Sequence, residues 1–146
     1  MKDDANAARV LLVDANRRGC AARKTILKEQ GYVVDTAPGG EEAWELFQKN
    51  HFDVVVTDLK LTGIDGLELI QRIRSADSPA GVILLSGFVT CLGLTSQLTG
   101  ADELINKSNK EVPELLRAVK KLATRPRKRK PGSQRLSLSS SGIIAS

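Results

Sequence analysis

Short apolar blocks recur along this chain, and stretches with apolar residues at helical spacing separate them. The clearest block is Val54–Val56, inside FDVVVTDLKLTGIDG at residues 52–66. Three consecutive β-branched residues predict a strand buried on both faces. The block ends at Thr57-Asp58, and Gly63 and Asp65-Gly66 then mark a loop and a turn. Arg9–Val13 (RVLLV) predicts another such strand and ends in Asp14. Tyr32–Thr36 centres on Val33-Val34, Val82–Leu85 runs into Ser86-Gly87, and Glu103–Ile105 runs into Asn106-Lys107.

The segments between them carry helical stripes. Asn16 is placed to cap a helix whose inner face is predicted at Gly19, Ala22, Ile26 and Leu27, with Gly31 ending it. Pro38-Gly39-Gly40 turns the chain into a helix that begins with Glu41 and Glu42, where anions suit the helix dipole. Its inner face is Ala43, Leu46 and Phe47, with Trp44 half-exposed beside it. Leu69, Ile70 and Ile73 line a third helix, broken by Pro79-Ala80-Gly81. Leu115, Leu116, Val119 and Leu122 define the last, with Pro113 in its first turn. Phe88–Thr99 is expected to be the fourth helix, yet it is uncharged, holds Gly93 and is rich in β-branched residues, which are weak helix formers. Strands alternating with helices predict an α/β fold, a doubly wound parallel sheet with helices on both faces.

Composition sharpens this picture in three places. Hydrophobic residues make up 41% of the 146 and aromatics 3%, so the core must be aliphatic. No apolar run reaches the roughly 18 residues of a membrane span, and the amino terminus lacks a signal-like apolar region. A cytoplasmic protein is expected, with Cys20 and Cys91 as reduced packing residues rather than a disulfide or a metal pair. The net charge of +5 belongs to one end of the chain. Residues 124–146 hold Arg125, Arg127, Lys128, Arg129, Lys130 and Arg135 and no acid; removing those six from 22 basic residues leaves 16 against 17 acids. Residues 1–123 therefore form the expected domain, at net −1, and 124–146 a basic, Ser-rich tail expected to be disordered. Such a tail serves either as a linker or as an arm for nucleic acid or another anionic surface.

Chemistry collects at the strand ends. Asp14, Asp58, Ser86 and Lys107 stand at the ends of four of the five strands, so a parallel sheet brings all four to one edge. Two carboxylates there suit a hard cation such as Mg²⁺, which takes one or two carboxylates together with waters and phosphate oxygens. A hydroxyl and an ammonium beside them suit a phosphoryl group. Together they describe an aspartate nucleophile that accepts a phosphoryl group. An aspartate-based phosphohydrolase is disfavoured because Lys60 stands where its second acid is needed, two residues after the nucleophile. No GxGxxG follows the first strand, which argues against a dinucleotide site. His51, the only histidine, precedes the central strand, away from this edge.

With these residues in view, the chain from about Arg9 to Leu122 resembles the response-regulator receiver family of two-component signalling. VLLVDAN is similar to that family's first-strand acidic motif, DVVVTDLKLTGIDGLELI to its phosphoacceptor motif, VILLSG to its switch strand and GADELINKS to its lysine strand. The resemblance implies a flavodoxin-like five-stranded sheet of order 2-1-3-4-5, whose switch point lies between the first and third strands. It implies that Asp58 is the phosphoacceptor and that magnesium is held by Asp14, Asp58 and the Lys60 carbonyl. Ser86 is then the switch hydroxyl and Lys107 the phosphate-pairing cation. It also implies a histidine kinase or phosphotransfer protein as donor, a downstream protein target, and a signalling module rather than an enzyme.

The departures from the family pattern are specific. Ala15 stands where a second adjacent acid is usual, which implies weaker magnesium binding. Thr62 and Ser108 replace two loop prolines, and Leu104 replaces an aromatic that turns inward on activation. Ala15, Leu104 and Ser108 support an alternative, a degenerate pseudo-receiver that acts as a phosphorylation-independent interaction module.

Overall fold

The computed structural model describes residues 7–87, 89, 90 and 92–124. The basic tail from residue 125, Phe88 and Cys91 lie outside the described residues. Ten elements alternate along the chain: β1 (Arg9–Val13), α1 (Arg17–Glu29), β2 (Val33–Ala37), α2 (Gly40–Lys49), β3 (Val54–Thr57), α3 (Gly66–Ser75), β4 (Gly81–Ser86), α4 (Ser96–Thr99), β5 (Glu103–Asn106) and α5 (Glu111–Thr124). The strands form one parallel sheet of order β2-β1-β3-β4-β5, as expected.

The alternation of side chains along each strand divides the core in two. Val10, Leu12, Val54, Val56, Ile83 and Leu85 face one side, where Cys20 and Leu27 of α1 and Leu115, Ala118, Val119 and Leu122 of α5 cover them. Leu11, Val13, Val55, Val82 and Leu84 face the other, against Ala43 of α2 and Leu69, Ile70 and Ile73 of α3. The central strand is apolar throughout because both of its faces are covered. Trp44 is half-buried at the margin of the second layer and stacks on Phe47.

Two helices differ from expectation. Asn16 caps α1 through its side chain, but the buried stripe is Cys20, Arg23 and Leu27 rather than Gly19, Ala22, Ile26 and Leu27. The inner face is rotated by one residue, about 100° on a helix. Its middle position is thereby a buried arginine. The fourth helix shrinks to Ser96–Thr99, capped by the Thr95 side chain and closed by Gly100 at φ 82°. Residues 89, 90, 92 and 93 are turns, and Gly93 takes φ 64°. β-Branched residues and a left-handed glycine leave too little propensity to offset helix nucleation. Leu92 and Leu98 are consequently exposed, by 56% and 71%.

One turn of helix with so little burial is expected to open readily. Amide exchange at Ser96–Thr99 should be much faster than at Leu115–Leu122 of α5. Equal protection in the two helices would contradict this reading.

Candidate functional site

The strand ladder places the polar strand ends side by side. Parallel pairing continues one step past β1 and β3: the Asp14 amide donates to the Ala37 carbonyl at 3.1 Å, and the Asp58 amide to the Val13 carbonyl at 3.0 Å. Asp14 and Asp58 are thus neighbours on adjacent central strands. On the far side of β4, the Lys107 amide donates to the Ser86 carbonyl at 3.1 Å. Sheet order alone brings these four residues to one edge, as the strand pattern predicted.

Asp58 is held at both oxygens. Its Oδ1 accepts from the Leu59 amide at 2.7 Å, and its Oδ2 accepts from Lys107 Nζ at 2.8 Å. The side chains of Asp58 and Lys107 are 17% and 30% exposed, so solvent reaches the pair. The loop behind Asp58 is drawn tight where the Gly66 amide donates to the Leu59 carbonyl at 2.8 Å. A Cβ at Gly66 would lie 2.1 Å from the Asp58 carbonyl oxygen. Only a residue without a side chain lets the start of α3 come this close to the strand end. Asp65 supplies the α3 cap, accepting from the Glu68 amide.

Ser86 closes β4, fully buried, opposite Asn106. Lys60 is exposed in the loop two residues past Asp58. Leu104 is partly buried and packs into the α2–α3 layer. Asn106 ties β5 to the turn after β4, donating from Nδ2 to Thr90 Oγ1 at 2.8 Å. His51 sits at the opposite end of β3, 3.3 Å from Asp53.

Asp14 has a partner that the sequence pattern did not reveal. Its Oδ1 accepts from the Asn16 amide at 2.8 Å, and its Oδ2 accepts from Arg23 Nη1 at 2.5 Å. The same guanidinium donates from Nε to Glu111 Oε2 at 2.6 Å. Arg23 therefore joins β1, α1 and the first turn of α5. Burial works against the charged guanidinium, but its bonds and charge contacts with Glu111 and Asp14 prevail and raise its pKa further. Burial and the nearby Asp14 carboxylate push the Cys20 thiol up as well, away from the reactive thiolate. The spacing of Cys20, Arg23 and Leu27 at i, i+3 and i+7 is the signal that could have pointed to Arg23. Nothing in the sequence pattern singles out Glu111.

The carboxylates that the resemblance assigns to magnesium already have partners from within the chain. Every carboxylate oxygen of Asp14 and Asp58 already accepts a hydrogen bond, two of them from cationic side chains. Ala15, where a further acid is usual, has no donor group in its side chain. Among the described residues, no cluster of three or more His, Cys, Asp or Glu could hold a metal.

Comparison with known proteins identifies the family. The family model for the response regulator receiver domain matches residues 10–120. The transcriptional regulatory protein TrcR of Mycobacterium tuberculosis is 34% identical over 105 residues, covering 71% of this chain and 41% of TrcR. The chain spans less than half the length of that and the other first curated relatives it matches. The response regulator TrrA of Thermotoga maritima, solved in complex with Mg(2+)-BeF, is 38% identical with a TM-score of 0.70, over 79% of this chain and 98% of TrrA. TrrA in complex with the histidine kinase ThkA is 37% identical with the same TM-score, over 79% of this chain and 97% of TrrA. The match over residues 10–120, together with the sheet order and the acids at the ends of its two central strands, means that this chain belongs to the response regulator receiver domain family.

Proposed function

We propose that this chain accepts a phosphoryl group on Asp58 from a histidine kinase or phosphotransfer protein and signals through protein contacts. The observation that carries the reading is the Asp58–Lys107 pair, 2.8 Å apart at the end of the central strand and open to solvent. A carboxylate oxygen of Asp58 attacks phosphorus as the bond from phosphorus to the donor nitrogen breaks. The departing imidazole keeps that electron pair and takes up a proton. Charge spreads over the transferring phosphoryl oxygens, and the Lys107 ammonium is already placed to balance it. Ser86, at the next strand end, is assigned to donate its hydroxyl to a phosphoryl oxygen.

TrrA, solved with its kinase, supports a kinase as the donor here. A cytoplasmic site of action fits that partner, and among the described residues no helix is long and apolar enough to cross a membrane. Residues 1–123 act as the receiver, and the tail from 124 offers its cations to nucleic acid or another anionic surface. The chain then works as a signalling module and turns over no free substrate of its own.

The test is incubation of the full chain with a small-molecule phosphodonor and magnesium, read by intact mass. Gain of one phosphoryl group is expected, and Asp58→Asn is expected to lose that gain completely. A gain that survives in Asp58→Asn sinks the assignment. A second reading has its own observation: with Asp14 held by Arg23, the edge already rests in a charge-balanced state. No mass gain at all in the native chain, with the fold intact, selects that phosphorylation-independent interaction module.

A further inference from the structure

We infer that Arg23 is the built-in cation of this edge, so that a divalent ion reaches Asp14 only by displacing the chain's own guanidinium. This deepens the proposed receiver site and rests on that reading for its consequence, weaker support of phosphoryl acceptance by magnesium.

Three independent features fit a side chain installed for this purpose. The first is the clamp itself. Arg23 meets Asp14 through Nη1 and Glu111 through Nε, two carboxylates from different elements. Asp14 is 4% and Arg23 9% exposed, and charges this buried persist only when paired. The second is room. A Cβ at Gly19 would stand 3.0 Å from Arg23 Nη1, so a glycine one turn earlier leaves space for the guanidinium. Glycine inside a helix is otherwise a cost of about 1 kcal/mol. The third is position 15. Alanine there withholds the further acid that would favour a doubly charged ion over a singly charged one.

Charge decides the competition. Asp58 is balanced by Lys107 and Asp14 by Arg23, each within 2.8 Å. An incoming dication meets two cationic side chains before it meets a free carboxylate. Arg23 cannot shed its proton to make way, because guanidinium stays charged in proteins. To clear Asp14 it must break the Nη1 arm, and the Glu111 arm then keeps its positive charge close by.

The experiment titrates the full chain with Mn²⁺ as a spectroscopic stand-in for Mg²⁺ and counts free ion by electron paramagnetic resonance. Four proteins are compared: the native chain, Ala15→Asp, Arg23→Met and the double variant. Ala15→Asp alone is expected to tighten binding less than about threefold, since the guanidinium still occupies Asp14. Adding Arg23→Met to it should tighten binding by a further tenfold or so. Arg23→Gln in the same background should match Arg23→Met, because both remove the charge. If either variant unfolds without metal, the same comparison is read as recovery of its melting transition by Mn²⁺. Ala15→Asp binding as tightly as the double variant would overturn the inference. So would a native chain that binds Mn²⁺ no more weakly than Arg23→Met. Because the readout is metal alone, failure of Asp58 to accept a phosphoryl group leaves this result standing, and the converse also holds.

Discussion

Arg23→Ala is expected to lower the free energy of unfolding by about 3 kcal/mol, the low end of the cost of removing one partner from a buried ion pair. The reason is the charge left behind. Among the described residues Asp14 keeps only the Asn16 amide, at 4% exposure, and Glu111 loses the Arg23 bond at the start of α5. An ion pair at this depth is weak evidence of net stabilisation, because desolvation opposes the Coulomb gain. Breaking it is costly for the same reason, since the orphaned carboxylate stays buried. The paired variant Arg23→Ala/Asp14→Ala should therefore be more stable than Arg23→Ala alone. Arg23→Met should also lose less than Arg23→Ala, because position 23 continues the apolar stripe of Cys20 and Leu27. Urea unfolding at neutral pH reads all three. If Arg23→Ala unfolds at the native midpoint, the clamp is a surface ornament and its proposed competition with metal falls with it.

Gly66→Ala is the second large effect. The new Cβ would lie 2.1 Å from the Asp58 carbonyl oxygen and 3.0 Å from both the Asp58 carbonyl carbon and Leu59 Cα. All three are backbone atoms, so no rotamer can relieve the clash. Leu69, Ile70 and Ile73 anchor α3 in the core, and so the loop after Asp58 must move instead. A loss of roughly 1–3 kcal/mol is expected from the overpacking. Movement of the loop also disturbs the Leu59 amide that holds Asp58 Oδ1. Displacing a reacting group by about an ångström slows reaction by on the order of a hundredfold, so phosphoryl uptake should fall more steeply than stability does. Gly87→Ala is the control near the same edge. Its Cβ meets nothing within 4 Å among the described residues, and a change under about 0.5 kcal/mol is expected. Equal effects at the two glycines would show that the backbone contact at Gly66 is not the cause.

The strand ends were legible in the sequence because strand burial leaves a strong local mark. Val54–Val56 and Val82–Leu85 are continuous apolar runs, and a polar residue after such a run can only sit at the sheet edge. Asp58 and Lys107, 49 residues apart, could be placed together because parallel strands alternating with helices put all carboxyl ends on one side. Helix faces left a weaker mark. In α1 the choice between Gly19-Ala22-Ile26 and Cys20-Arg23-Leu27 turns on whether an arginine can be buried. Composition argues against that, and the two carboxylates that permit it lie 9 and 88 residues away. The length of α4 was illegible for a related reason: propensity in Phe88–Thr99 is weak, and only the packing of the surrounding turns decides how much of it coils.

By itself, then, the sequence determined the order of strands and helices, the two-layered aliphatic core and the polar residues that share one edge of the sheet. All of these stem from period and polarity, which act over a few residues. Tertiary structure alone decided how the charges of that edge are paired. The contacts of Asp14 with Arg23 and of Arg23 with Glu111 exist only once α1 and α5 pack side by side on the sheet. Electrostatic pairing depends on distance in space and on burial, and neither is written in the neighbours of a residue along the chain.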